Sequence, residues 1–118
     1  MALLMSGISA HVLDVALGKP AAHVPVRLER QDPTGEWRVL SVSQTDEDGR
    51  CPKLLPENET LHAGAYRLSF DTLTYHLAQK IQGLYPAIEI TFQVPEGESH
   101  FHIPLLLSPH GYTTYRGS

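Results

Sequence analysis

His100-Phe101-His102-Ile103-Pro104-Leu105-Leu106-Leu107 is the stretch from which the rest of the chain can be read. Side chains alternate between the two faces of a strand, so Phe101, Ile103, Leu105 and Leu107 share one face and His100, His102, Pro104 and Leu106 the other. The first set is a core face. The second is too polar for a core and, with Pro104 and Leu106, too apolar for an ordinary wetted face. It reads as an intersubunit surface that carries histidine. The segment Ile8–Asp14 repeats the arrangement, with Ile8, Ala10 and Val12 on one side and His11 and Leu13 on the other.

Nine Gly and nine Pro punctuate the remaining sequence, and the segments between them also alternate with period two. Strands are predicted at Ile8–Asp14, Val24–Arg30, Trp37–Gln44, a short one near Arg50–Leu54, Ala65–Phe70, Ala87–Val94, His100–Leu107 and Tyr112–Tyr115. The class is all-β, and this many short strands predict a two-sheet sandwich. Turn chemistry at Asp32-Pro33-Thr34-Gly35, Asp46-Glu47-Asp48-Gly49, Pro95-Glu96-Gly97 and Ser108-Pro109-His110-Gly111 predicts hairpin-like connections. From Asp71 to Lys80 an Asp or Thr cap is followed by Leu73 and Leu77 four apart, which predicts a short surface helix. No linker, repeat or low-complexity tract interrupts the chain, so residues 1–118 are expected to form one module. At 118 residues such a module buries about two-thirds of its extended surface, enough for a core without cross-links.

Composition excludes several classes of function. Nine Lys and Arg against 13 Asp and Glu leave a net charge of −4, with no basic stripe to follow a phosphate backbone. Nucleic acid is therefore not an expected partner. With 42% hydrophobic and 19% charged residues the chain is that of an ordinary globular protein. Apolar runs such as Ile103 to Leu107 are far shorter than the roughly 20 residues a membrane span needs, so no membrane partner is expected. Met1 to Met5 lacks a basic n-region and a cleavage site, and the Tyr-Arg-Gly-Ser end is not an address signal. The expected location is the cytoplasm. A single cysteine, Cys51, rules out an internal disulfide and a multi-cysteine zinc site.

Seven histidines, at 11, 23, 62, 76, 100, 102 and 110, are many for this length. A solitary imidazole is ordinarily solvated surface, and His23, His62, His76 and His110, in loops, a turn or the helix, are read that way. His11 and His102 differ because each lies on an otherwise apolar outward stripe. His100-x-His102, with His11 as a third ligand, has spacing that could hold a metal, but such spacing is common by chance and no carboxylate completes it. Cys51 beside Arg50 could be an activated thiolate, although neighbours in a strand point oppositely and Cys51 is expected to pack inward. Arg50 alone would be a surface ion-pair residue. Paired-carboxylate, Walker and dinucleotide signatures are absent.

Four segments, His11-Val12-Leu13-Asp14 with Gly18-Lys19-Pro20-Ala21, Thr45 through Arg50, Phe101 through Pro109, and Tyr115-Arg116-Gly117-Ser118, resemble the transthyretin-like 5-hydroxyisourate hydrolases in order along nearly the whole chain. The thyroid-hormone carrier of that fold shares Val-Leu-Asp and Leu-Leu-Ser-Pro but has other residues where this chain has His11, Arg50, His102 and the terminal tetrapeptide. The resemblance implies a prealbumin-like sandwich of two four-stranded sheets with one short helix, assembled as a homotetramer with active sites in the channel between dimers. It implies ring-opening hydrolysis of a small molecule, 5-hydroxyisourate, with no metal and no organic cofactor. The residues carried over are His11, Arg50 and His102 as catalytic, and His11, Arg50, Tyr115 and Ser118 as substrate-binding. One imidazole would deprotonate water, the other would hold or protonate substrate, and Arg50 would bind an anionic planar ring. Residues 115–118 are expected to fold into the site. Phe101 departs from the usual Tyr, but its parity is inward. The alternative is a non-enzymatic carrier that uses the same channel for a small aromatic ligand.

Overall fold

The computed structural model describes residues 7–118, so the reading of Met1 to Met5 lies outside the described residues. Alternation becomes pleat in β1 (Gly7–Asp14), β2 (Lys19–Pro20), β3 (Pro25–Gln31), β4 (Trp37–Gln44), β5 (Arg50–Cys51), β6 (Gly64–Phe70), β7 (Ile88–Val94), β8 (His100–Ser108) and β9 (Gly111–Thr114), with one helix, α1 (Thr72–Ala78), between β6 and β7. One sheet has the order β4-β3-β6-β7 and is antiparallel throughout. In the other, of order β2-β1-β8-β9, β1 and β8 run parallel along their lengths while β5 and β2 share the remaining edge of β1. Each sheet is thus four strands wide. The two-residue β2 was not anticipated, because a dipeptide has no period to read.

The core lies between the sheets and follows parity. Ile8, Ala10 and Val12 of β1 and Phe101, Ile103, Leu105 and Leu107 of β8 are buried against Val26, Leu28, Tyr66, Leu68, Phe70 and Ile88. Each large side chain so buried contributes about 1.5–3 kcal/mol. Pro104, read as outward, is buried as well, with Gly117 packed close to its ring.

Two of the four turns are not hairpins. Asp32–Gly35 joins β3 to β4 and Ser108–Gly111 joins β8 to β9, but Asp46–Gly49 carries the chain from β4 to β5 in the opposite sheet, and Pro95–Gly97 does the same between β7 and β8. Local turn chemistry is the same in both situations: Asp46 Oδ1 accepts from the N–H groups of Asp48 and Arg50, each at 2.9 Å. What differs is the partner that the outgoing strand finds, which turn residues do not encode.

Helix α1 is capped by Asp71, whose Oδ1 accepts from Thr74 N–H at 3.0 Å. Its buried residues are Thr72, Tyr75 and His76, whereas Leu73 and Leu77 are exposed. His76 is therefore packed inside, its ring against Gly83, and is not the solvated residue that its place in a surface helix suggested. Tyr75 ties the helix to the end of β1: its hydroxyl, with its pKa pushed up to about 12 chiefly by burial, stays protonated and donates to Asp14 Oδ2 at 2.7 Å.

Candidate active site

Parity places Ser9 and His11 of β1 on the outer face of the mixed sheet, and the parallel register sets Ser9 directly beside His102 of β8. Ser9 Oγ lies 2.8 Å from His102 Nδ1, which orients that ring and leaves Nε2 as its free nitrogen. One step further along β1, the His11 ring lies 6.4 Å from the His102 ring, centroid to centroid. His11 Nε2 is 3.0 Å from the Asp48 carbonyl, and because a carbonyl can only accept, Nε2 carries the hydrogen. The Asp46–Gly49 turn thus fixes the tautomer of His11. The same turn delivers Arg50, whose backbone is the register partner of His11 across the β1–β5 pair and whose side chain is exposed.

Gly117 and Ser118 complete the arrangement. Beyond β9 the chain stays antiparallel to β8, with Gly117 opposite His102 and Gly117 N–H donating to the His102 carbonyl at 2.8 Å. Ser118 then lines a cavity of about 220 Å³ together with Ser9, Arg50, Lys53, His100 and His102. Both ring nitrogens of His100 are buried without a hydrogen-bond partner among the described residues. A larger cleft of about 870 Å³, lined by Leu55, Glu57, Glu59, Leu61 and Glu98 among others, contains none of these imidazoles. Size does not outweigh the convergence of two histidines and an arginine, so the smaller cavity is the candidate site.

Burial foremost, and then the charges of His11, Arg50 and His100, hold His102 below the ordinary imidazole pKa. At neutral pH it is therefore neutral and able to accept a proton. Because the folded state prefers the neutral ring, its contribution to stability is full above about pH 6.5 and declines as pH falls from there toward the folded value. If His102 is the base of a reaction in this cavity, the acid limb of kcat/KM is expected to have its midpoint below about 6.5, the ordinary value. A pH–rate profile checks this, and a midpoint above that value would remove His102 from the role.

Of the residues singled out from sequence, His11, Arg50, His102 and Ser118 come together on one face, with His11 flanking the cavity that the other three line. Tyr115 does not join them. It is 56% exposed and borders a separate cleft with Ile90, Phe92 and Gln93. Cys51 packs inward as its parity predicted, and burial raises its pKa to about 11, so it is a thiol and not a nucleophile. Among the described residues no three His, Cys, Asp or Glu side chains are grouped to hold a metal ion, His11, His100 and His102 included. Sequence reasoning missed Ser9, the Asp48 carbonyl and the particular part that Gly117 plays within the tail expected at the site. Ser9 was findable, since it shares the outward parity of His11; the other two act through backbone atoms and leave no side-chain signal.

Fold and site together define a class: a β-sandwich in which the outer face of one sheet, and not a loop, carries two imidazoles and a guanidinium beside a small cavity. The chain belongs to the HIUase/transthyretin family, whose profile matches residues 8–117. It is 44% identical over 119 residues to the 5-hydroxyisourate hydrolase of Mus musculus, with all of both chains covered. It is 42% identical over 111 residues to that of Salmonella dublin, covering 94% of this chain and 80% of the relative. Among solved structures, the 5-hydroxyisourate hydrolase of Klebsiella pneumoniae superimposes with a TM-score of 0.82 at 34% identity, covering 97% of this chain and 100% of the other. Sea bream transthyretin in complex with thyroxine superimposes with a TM-score of 0.86 at 32% identity, covering 93% of each chain. Backbone likeness alone therefore does not separate hydrolase from carrier; side chains must.

Proposed function

We propose that this chain hydrolyses 5-hydroxyisourate, opening its ring to 2-oxo-4-hydroxy-4-carboxy-5-ureidoimidazoline. The observation that carries the reading is the neutral His102, oriented by Ser9 and faced by His11 and Arg50 at the cavity. His102 Nε2 takes a proton from water as the oxygen adds to the ring carbonyl. The carbon–nitrogen bond then breaks and the proton passes to the leaving nitrogen. Arg50 holds the anionic substrate through its forked donors and meets the charge that develops on the carbonyl oxygen. His11, with Nε2–H engaged by Asp48, accepts a hydrogen bond at Nδ1 and donates there once protonated. His100 presents two buried nitrogens that a polar ring entering the cavity would satisfy. Tyr115 reaches the substrate only if the assembled protein brings its ring to a neighbouring cavity.

The decisive experiment adds freshly generated 5-hydroxyisourate to the purified protein and follows the loss of its ultraviolet absorbance. Turnover well above spontaneous decay is expected. A rate equal to spontaneous decay, with saturable binding of a small aromatic molecule, would establish the carrier reading instead, for which the thyroxine complex of sea bream transthyretin supplies a backbone precedent.

The working assembly in this reading is a homotetramer in the cytoplasm, where a buried, unpaired Cys51 is at home. Leu13 and Leu106 flank the histidines on the outer face, and Leu17, Leu84, Tyr85 and Tyr112 are exposed. Leu106→Glu would place an unpaired charge in that contact, at a cost of several kcal/mol by order of magnitude. Dissociation to dimers with loss of activity is expected. Light scattering that found a fully active wild-type monomer would refute the assembly. Among the described residues no helix is long and apolar enough to cross a membrane.

A further inference from the structure

We infer that Arg116 is a positioning residue for the hydrolytic site: clamped between Glu98, Phe101 and the His100 carbonyl, it presses the Gly117 backbone onto the His102 ring. The inference rests on the proposed hydrolysis for its kinetic consequence, but the clamp can be observed independently of activity. A short terminal segment with a glycine in it would ordinarily fray. Here Arg116 Nη2 donates to Glu98 Oε1 at 2.8 Å and to the His100 carbonyl at 3.1 Å. Its guanidinium carbon also sits 3.8 Å above the centroid of the Phe101 ring. Half-exposed, the ion pair alone would hold little. The stack supplies the direction: Phe101 belongs to the core and rests on Phe92 with 5.8 Å between centroids, so the plate on which Arg116 lies is fixed. Phe101 thus has a second use beyond the core, as the ring face on which Arg116 lies.

Gly117 shows what the clamp achieves. Its backbone is not in the left-handed region, so the requirement for glycine is not conformational. It is steric: a Cβ at this position would lie 2.6 Å from His102 Cδ2 and 3.2 Å from Pro104 Cγ. Cδ2 adjoins Nε2, so the Gly117 backbone packs against the edge of the ring that carries the free nitrogen, while Ser9 holds Nδ1 on the other. With one hydrogen bond and one steric wall the ring has a single orientation, and Ser118 is brought to the cavity by the same segment.

The test compares Arg116→Gln, Arg116→Lys and Gly117→Ala with wild type in steady-state kinetics and in amide hydrogen exchange read by NMR at Gly117, whose N–H bonds the His102 carbonyl. For Arg116→Gln a fall in kcat of about tenfold or more is expected. KM should change less than about threefold and Gly117 protection should be lost, while protection in β1 and β8 is retained. Lysine keeps the charge toward Glu98 but not the planar stack, so Arg116→Lys should recover only part of both signals. Gly117→Ala should lower kcat with Arg116 intact. Wild-type kcat in Arg116→Gln, or a lower kcat with Gly117 still protected, would overturn the inference. Should the wild type itself show no turnover, the hydrolytic reading fails while the Gly117 exchange still decides whether the clamp exists.

Discussion

His102→Ala is expected to lower kcat by roughly 10²–10⁴, the range for a positioned general acid–base group, without unfolding the sandwich. Its ring lies on the outer face, between Ser9 and Gly117, and contributes nothing to the core between the sheets. What is lost is an imidazole that burial and neighbouring charge hold neutral. Arg50→Ala should instead raise KM as well, since a guanidinium contact with an anion exists in the ground state. The control is His23→Ala. His23 is exposed and pairs with exposed Glu47 at 2.9 Å, a contact of little energy. Steady-state kinetics on the three variants separates the cases. A loss at His23 equal to that at His102 would mean that position on the outer stripe does not mark the chemistry.

Gly49→Ala is expected to destabilise the fold by about 3 kcal/mol or more, through two effects that add. Gly49 has φ of +77°, where a side chain costs about 1–2 kcal/mol. An added Cβ would also overlap the Val12 carbonyl of β1 and press on Pro20 and Ala21. Val12 and Ala21 cannot yield easily, because Val12 N–H donates to the Gly49 carbonyl at 2.7 Å and Ala21 N–H to the Val12 carbonyl at 2.9 Å. At about 4 °C per kcal/mol for a domain of this size, Tm should fall by about 10 °C or more. Activity should fall further than stability, since this turn holds His11 through Asp48 and delivers Arg50. Calorimetry beside kinetics checks both, and an unchanged Tm would show that the turn moves freely.

Local physics accounts for what was legible. The alternation in His100–Leu107 and Ile8–Asp14 is a property of each segment alone, and so the inward faces and the outward His11 and His102 followed from it. The helix was legible at its Asp71 cap but not in its buried face, because the Leu73–Leu77 spacing reports a helical period and not which side meets the sandwich. Asp46–Gly49 read correctly as a turn and wrongly as a hairpin for a similar reason: its hydrogen bonds close within four residues whichever sheet the next strand joins.

By itself the sequence determined the all-β class, the strand faces and the residue types available for chemistry, since these depend on side-chain period and turn stereochemistry over a few residues. Only tertiary structure decided which of those residues meet. Ser9 reaches His102 because β1 and β8 pair in parallel across more than ninety residues of chain, and Arg50 reaches His11 because a dipeptide strand takes the other edge of β1. Gly117 reaches the His102 ring because Arg116 finds Glu98 and Phe101. Such registers are chosen when two sheets bury their apolar faces together, and a shift of one residue would turn every outward histidine into the core. The information is in the sequence, but it is spread over the whole core and cannot be read from any one strand.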